Sequence, residues 1–132
     1  MLKTALLTAI LVVPASAQQA PDRSTSAEPK IEMTTYYVVF LRKGPSWTPE
    51  RTPEVLAIGK GHMDNIKRLA AEGKLIIAGP FLDPKSDLAG LFIFRVASAD
   101  EARALTETDP AVKAGRFSYE VVPWLGPKTL HY

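Results

Sequence analysis

The sequence predicts an α+β fold in which two helices cover one face of a four-stranded antiparallel sheet. Three observations lead to this prediction. The predicted elements follow the order β-α-β-β-α-β, the predicted strands are rich in β-branched and aromatic residues, and the longest predicted helix carries an apolar stripe. This element order is that of the split βαβ, or ferredoxin-like, arrangement. With 132 residues, the chain is long enough for one domain with one core.

The first strand and the first helix are separated by a long loop. The segment "TYYVVFL" (35–41) predicts the strand, and the three prolines of "KGPSWTPERTP" (43–53) indicate the loop. Pro53 suits an early position in a helix. We expect this helix to run to about Glu72, because Gly73 can then provide a left-handed C-terminal cap.

Two more strands and a clearly marked second helix come next. The segments "KLIIAGPF" (74–81) and "GLFIFRV" (90–96) predict strands that are joined by a hairpin connection. Ser98 and Glu101 have the spacing of a capping box, so the second helix should begin there and continue to about Thr108.

The last predicted strand, "RFSYEVV" (116–122), follows a short turn that Asp109-Pro110 starts. The first and third strands are apolar at odd and even positions alike, so both faces of the sheet should be covered. Two helices cover one face, and no spare segment is long enough for the other. The sequence therefore predicts a homodimer with sheet packed against sheet, because large exposed apolar patches are rare on monomers. The alternative is a set of central strands with one large aromatic patch.

The N-terminal residues are not expected to belong to the folded domain. Residues 1–17 combine a lysine, an apolar run and Ala15-Ser16-Ala17, which is the pattern of a secretory signal peptide. We expect cleavage after Ala17, a periplasmic or secreted protein, and no contact with the membrane after cleavage. An uncleaved anchor or a wrong start codon is the alternative. Residues 18–33 predict a flexible linker, and residues 34–132 the domain.

Composition argues against several classes of function. The net charge is only +2 at pH 7 and no basic run is interleaved with aromatic residues, so nucleic acid binding is not expected. The chain has no cysteine, which excludes thiol catalysis and cysteine-ligated metals. The two histidines, His62 and His131, are far apart in sequence, and no phosphate loop or HExxH motif is present. We therefore expect neither a metal nor a cofactor.

His62 lies on the apolar stripe of the first helix, where an aliphatic residue is expected. A buried imidazole needs partners for its ring nitrogens, so His62 is a costly choice at this position. It is either a core histidine that a backbone carbonyl or a water satisfies, or a proton-transfer residue at the mouth of a pocket. Asp109 also has two interpretations. It can cap a helix, or it can accept a hydrogen bond from His62, because the two helices lie side by side.

Four further residues are candidates for contact with a substrate, and each also has a structural interpretation. Gly79 and Pro80 could instead shape the end of their strand. Trp47 could cover a pocket or attach its loop to the dimer. Arg95 could bind an anionic substrate or a carboxylate at the dimer interface.

From Tyr36 to Trp124, the chain resembles the YCII-related domain family. The resemblance rests on a helical His62, on "IKRLAAEGKLIIAGPF", and on "LAGLFIFRVASADEARALTETDPAVKAGRFSYEVVPW", which contains a Ser-x-x-Glu-Ala helix and an Asp-Pro with a glycine a few residues on. It implies a dimeric α+β barrel and a site formed by His62 and Asp109. A few members of this family act as lyases, such as dehydrochlorinases of chlorinated hydroxyquinols, and the fold resembles that of muconolactone isomerases.

Two functions of different classes remain open at this point. The first is an exported, cofactor-free lyase or isomerase that acts on a small cyclic or aromatic molecule, with His62 as general base or acid and Asp109 as the residue that orients it. The second is a non-catalytic dimeric module that binds a small ligand.

Overall fold

The computed structural model describes residues 30–130, so the predicted signal peptide, most of the predicted linker and His131 lie outside the described residues. The predicted order of elements is confirmed, with one short additional helix before the last strand. The elements are β1 (Met33–Lys43), α1 (Pro53–Ala71), β2 (Leu75–Pro80), β3 (Leu88–Phe94), α2 (Ala99–Thr106), α3 (Pro110–Lys113) and β4 (Phe117–Pro127).

The four strands form one antiparallel sheet in the order β2-β3-β1-β4. The long strand β1 pairs with β4 along its whole length, from Met33 opposite Pro127 to Lys43 opposite Phe117. On its other side β1 pairs with β3, and the register shifts once, between Leu41 and Arg42. The two central strands are those separated by α1 and β2 in the chain, which is the ferredoxin-like topology predicted from the sequence.

Helix α1 begins and ends at the residues that the sequence indicates. The side chain of Thr52 caps the first turn by accepting a hydrogen bond from the backbone N–H of Val55 at 3.2 Å, and Pro53 occupies the first helical position. The chain leaves the helix through Gly73, whose φ of 72° is left-handed. The 19-residue helix crosses the face of the sheet and carries His62 at its middle.

Helix α2 begins with the predicted cap. Ser98 accepts a hydrogen bond from the backbone N–H of Glu101 at 3.1 Å. The carboxylate of Glu101 reaches back one residue further than expected, to the N–H of Ala97, and it also binds the ammonium group of Lys74. The helix ends at Thr106, slightly earlier than predicted, because the chain turns there into the extended residue Asp109 that starts α3.

The main core lies between the sheet and the helices. Its buried side chains come from β1, α1, β2, β3 and α2, and they are Val39, Leu41, Ile66, Leu69, Leu75, Phe92, Phe94 and Ala102. No helix within residues 30–130 is both long and apolar enough to cross a bilayer.

The second face of the sheet carries a smaller apolar cluster formed by Tyr36, Val38, Ile76 and Ile93. Leu130 packs against this cluster, so the C-terminal turn reaches one corner of the face that no spare segment was expected to be long enough to cover. The C-terminal turn approaches because β4 extends to Pro127, five residues beyond the predicted strand end. The predicted dimer is not tested by the described chain and stays a prediction.

Candidate active site

Helices α1 and α3 bring His62 and Asp109 into contact. Nδ1 of His62 lies 2.6 Å from Oδ2 of Asp109, although the two residues are 47 positions apart in the chain. The Asp109 side chain is fully buried, and that of His62 is 19% exposed. The hydrogen bond that the sequence left as one of two interpretations is therefore present, and it leaves the imidazole within reach of solvent. Whether the pair is catalytic stays a prediction.

Asp109 combines both of the interpretations that the sequence left open. Its Oδ1 accepts a hydrogen bond from the backbone N–H of Ala111 at 2.8 Å, as the N-cap of α3, while Oδ2 faces His62. An ionised carboxylate only accepts hydrogen bonds, so Nδ1 of His62 must be the donor. In the neutral imidazole Nε2 then carries the lone pair. Within residues 30–130 no hydrogen-bond partner contacts Nε2, which leaves it available to a ligand.

Two aromatic rings fix the orientation of the imidazole. The ring of Phe92 on β3 is stacked at 23° with its centroid 5.9 Å from that of His62. The ring of Phe117, the first residue of β4, meets the imidazole edge-on at 5.5 Å and 70°. These contacts and the bond to Asp109 hold the ring in one position, as proton transfer in a defined direction requires.

Two cavities meet at the imidazole, and His62, Met63 and Phe117 line both of them. The larger, of about 690 Å³, lies between the loop at 47–51, helix α1 and the start of β4. The smaller, of about 310 Å³, lies between α1 and the sheet. Apart from His62 the smaller cavity is lined by apolar residues, namely Leu41, Met63, Ile66, Ala78, Gly79, Pro80, Ala89, Gly90, Phe92 and Phe117.

Three of the four predicted substrate-contact residues lie around His62, and one does not. Trp47 lines the larger cavity, and Gly79 and Pro80 line the smaller one. Arg95 lies at the opposite face of the sheet, where its guanidinium contacts the ring and the hydroxyl of Tyr36. Successive residues of a strand point to opposite faces, and Arg95 follows Phe94, which packs in the core beneath the helices.

Arg95 instead holds the C-terminal turn. Its guanidinium donates to the backbone carbonyl of Lys128 at 3.2 Å and to that of Leu130. A molecule bound beside His62 is therefore on the other side of the sheet from Arg95, and the candidate role in substrate binding does not fit this position.

Arg116 is a residue of the larger cavity that the sequence did not single out. Its Nη2 donates to the backbone carbonyl of Thr48 at 3.2 Å, which ties the loop after β1 to the start of β4. Its only signal in the sequence is a single basic residue before a strand, a feature common on protein surfaces.

The groups of this site that could bind a metal ion are one imidazole and one carboxylate. In the part of the chain from residue 30 to residue 130, no group of three or more histidine, aspartate or glutamate side chains could hold a metal ion. The chemistry that these two residues themselves support is the transfer of a proton at Nε2, with the charge of the resulting imidazolium balanced by the buried carboxylate.

Comparison with known proteins extends over most of the described chain. The YCII-related domain family matches residues 35–125. Among solved structures, the chain is similar to the 5-chloro-2-hydroxyhydroquinone dehydrochlorinase of Burkholderia phenoliruptrix AC1100, whose structure is a complex with 2,5-dihydroxybenzoquinone. The two are 25% identical with a TM-score of 0.50, and the match covers 67% of this chain and 92% of the other. No curated protein matches the chain in sequence.

Proposed function

Because the chain belongs to the YCII-related domain family, we propose that it is a cofactor-free lyase or isomerase that moves a proton on a small cyclic or aromatic molecule. The observation that carries the proposal is the His62–Asp109 hydrogen bond at the junction of two cavities. The similar structure is that of an enzyme whose name gives a chlorinated hydroxyhydroquinone as its substrate, which supports a ring compound as ligand.

In the proposed reaction Nε2 of His62 is the general base. It removes a proton from a carbon of the substrate, and the electrons of the broken C–H bond form a double bond. In a lyase the neighbouring leaving group departs with its own electron pair, and in an isomerase the same proton returns at a different carbon. Asp109 holds Nδ1–H throughout and stabilises the imidazolium that forms. A general base contributes roughly 10²–10⁴-fold, so the substrate needs an acidic proton, for example one beside a carbonyl group.

The smaller cavity is a suitable place for the ring of the substrate. Its volume of about 310 Å³ lies at the lower end of the range of roughly 300–1,000 Å³ that is typical of small-molecule sites. The flat wall formed by Phe92 can stack against a ring, and it also stacks against His62. A ring bound there lies beside the imidazole, which lines the same cavity.

We also propose that the protein is exported and works as a homodimer. The export proposal is supported by the signal-peptide pattern of residues 1–17, which lie outside the described residues. The dimer proposal is supported by the second face of the sheet, where the side chains of Phe40, Ile77 and Leu91 are partly exposed and that of Trp124 is 41% exposed.

Hydrogen exchange tests the proposed chemistry whichever product the reaction gives. A panel of cyclic ketones, hydroxylated quinones and chlorinated hydroquinones is incubated with the protein in D₂O, and exchange or elimination is followed by proton NMR. We expect catalysed exchange or elimination on at least one compound, and a loss of roughly 10²-fold or more in His62→Gln. The melting temperature of the variant shows whether the fold is kept.

The same panel can also contradict the proposal. If the folded protein binds ring compounds but catalyses neither exchange nor elimination on any of them, it is the non-catalytic ligand-binding module that the sequence left open. Equal rates in the wild type and in His62→Gln would exclude His62 as the base.

A further inference from the structure

The larger cavity beside His62 has a wall with an excess of basic groups. Its charged side chains are four basic and two acidic, namely Arg51, Lys60, Lys67, Arg116, Glu50 and Asp64. Lys60 and Asp64 form an ion pair with each other at 2.5 Å. Three basic groups then remain against the single carboxylate of Glu50, so the wall favours an anion.

Arg116 differs from the other three basic residues because it is the one that is not exposed. Its Nη2 is bound by the carbonyl of Thr48, while Nη1 is shielded from solvent and has no hydrogen-bond partner among residues 30–130. None of the ion pairs in that part of the chain includes Arg116. The structure thus contains a partly buried guanidinium that has neither a counter-ion nor a full set of acceptors.

An anion bound in the cavity would give this guanidinium both a hydrogen-bond acceptor and a counter-charge. A shielded N–H without a partner destabilises the protein. The planar guanidinium fits a carboxylate through two parallel hydrogen bonds, and it binds a phenolate oxygen through one charge-assisted bond. The group also shares a cavity with the imidazole, because Arg116 and His62 both line the larger cavity.

We propose that Arg116 binds an anionic oxygen of the ligand, a carboxylate or a ring phenolate, and thereby selects anionic ring compounds for this site. The inference rests on the proposed function in one respect only, the placement of the ligand beside His62, where the smaller cavity that holds the ring meets the larger cavity that Arg116 lines. It deepens that proposal by naming the substrate class, a ring that carries both an acidic proton and an anionic oxygen. The basic rim guides the anion inward and Arg116 pairs with it.

Two probes of nearly equal shape test this assignment by binding alone. Benzoate and benzamide differ in charge but hardly in size, and each is titrated into the purified protein while the backbone amide resonances of the cavity residues are followed by NMR. We expect benzoate to bind the wild type at least about tenfold more tightly than benzamide.

Substitutions at Arg116 then assign the difference to its guanidinium. Arg116→Gln should weaken benzoate binding by roughly ten- to hundredfold and leave the affinity for benzamide unchanged. Arg116→Lys should lose less affinity for benzoate, because lysine keeps the positive charge but lacks the two parallel N–H donors of the guanidinium. Lys85→Gln removes one positive charge from an exposed loop residue that lines none of the cavities described, so it should bind both probes as the wild type does. Melting temperatures confirm that each variant is folded.

The outcomes separate this inference from the proposed function. If benzoate does not bind the wild type, or binds folded Arg116→Gln as tightly as the wild type, the anion site is wrong, whatever the exchange experiment shows. If benzoate binding depends on Arg116 but His62→Gln leaves turnover unchanged, the anion site stands and the proposed general base is wrong.

Discussion

Gly61 of α1 lies against Pro110 of α3 so closely that a Cβ atom on residue 61 would stand 3.0 Å from Cγ of Pro110 and 3.3 Å from its Cβ. Each of these residues is the chain neighbour of one member of the proposed proton-transfer pair, since Gly61 precedes His62 and Pro110 follows Asp109. The contact between them therefore controls how closely the imidazole and the carboxylate approach each other.

Replacement of Gly61 by alanine should separate the pair. The proline ring is rigid and belongs to the first residue of α3, so α3 must move away from α1 to accept the new methyl group. We expect a loss of roughly ten- to hundredfold in kcat, because small displacements of a catalytic pair are costly. Turnover and the ring ¹⁵N resonances of His62 measure the effect.

Gly59→Ala is the matched control for that change. It lies on the same helix, and a Cβ atom there would meet nothing within 4 Å. Gly59→Ala should raise the stability of the helix by about 0.5–1 kcal/mol, whereas in Gly61→Ala the contact with Pro110 opposes this gain. Only Gly61→Ala should alter the pair. If the two variants have the same kcat and the same His62 resonances, the contact with Pro110 does not position Asp109.

Replacement of Asp109 by asparagine should change the tautomer of His62 with little loss of stability. Asparagine caps helices as well as aspartate does, so α3 is retained, but the charged acceptor for Nδ1–H is lost. We expect His62 to shift toward the tautomer protonated at Nε2, and kcat to fall on the order of 10²-fold while KM changes little.

Ring ¹⁵N NMR reads the tautomer directly, and a His131→Gln background removes the second histidine, which lies outside the described residues. Unchanged ring resonances in Asp109→Asn would show that the carboxylate does not select the tautomer. Asp109→Ala, which removes the cap as well, should lose about 0.5–2 kcal/mol of stability in addition.

Ionisation of Tyr119 on β4 should lower the stability of the protein at alkaline pH. Burial raises the pKa of Tyr119 to about 12, and the carboxylate of Glu107, to which the hydroxyl donates at 2.6 Å, adds to this increase. The fold therefore favours the protonated phenol. The resulting contribution to the free energy of unfolding is complete below the ordinary pKa of 10.0, and it is lost as the pH rises toward 12.

A phenolate absorbance titration, taken as the difference between the wild type and Tyr119→Phe, measures this pKa. Glu107→Gln should lower the pKa of Tyr119 only in part, because burial, the largest single cause of the increase, remains. A return to the ordinary value in Glu107→Gln would contradict that order of causes.

The sequence was most informative where a local rule determines the structure. The caps at Thr52 and Ser98 and the left-handed Gly73 each depend on residues within a few positions of one another, and helix boundaries at these sites agree closely with the expectation. The contact between His62 and Asp109 could be offered as one interpretation of the sequence, because the predicted topology places the two helices on the same face of the sheet.

The contact of Arg95 with the C-terminal turn and the position of Arg116 in the larger cavity could not be predicted in the same way. Each depends on a segment that is distant in the chain, the C-terminal turn for Arg95 and the loop at 47–51 for Arg116. The strand β4 runs five residues beyond its predicted end, and this extension brings the C-terminal turn back to Arg95. No local pattern in the sequence marks such a contact between distant segments.

A single charge on the second face of the sheet should prevent the proposed dimer. Leu91 on β3 packs at the edge of the cluster on that face, so Leu91→Lys would bury an unpaired ammonium between two sheets. Leu125→Lys is the matched control, because Leu125 is 62% exposed and neighbours Trp124 on β4, so it points away from that face. We expect the wild type and Leu125→Lys to sediment as dimers and Leu91→Lys as a folded monomer. A monomeric wild type at every concentration measured would show that the C-terminal turn and Trp124 cover this face sufficiently by themselves.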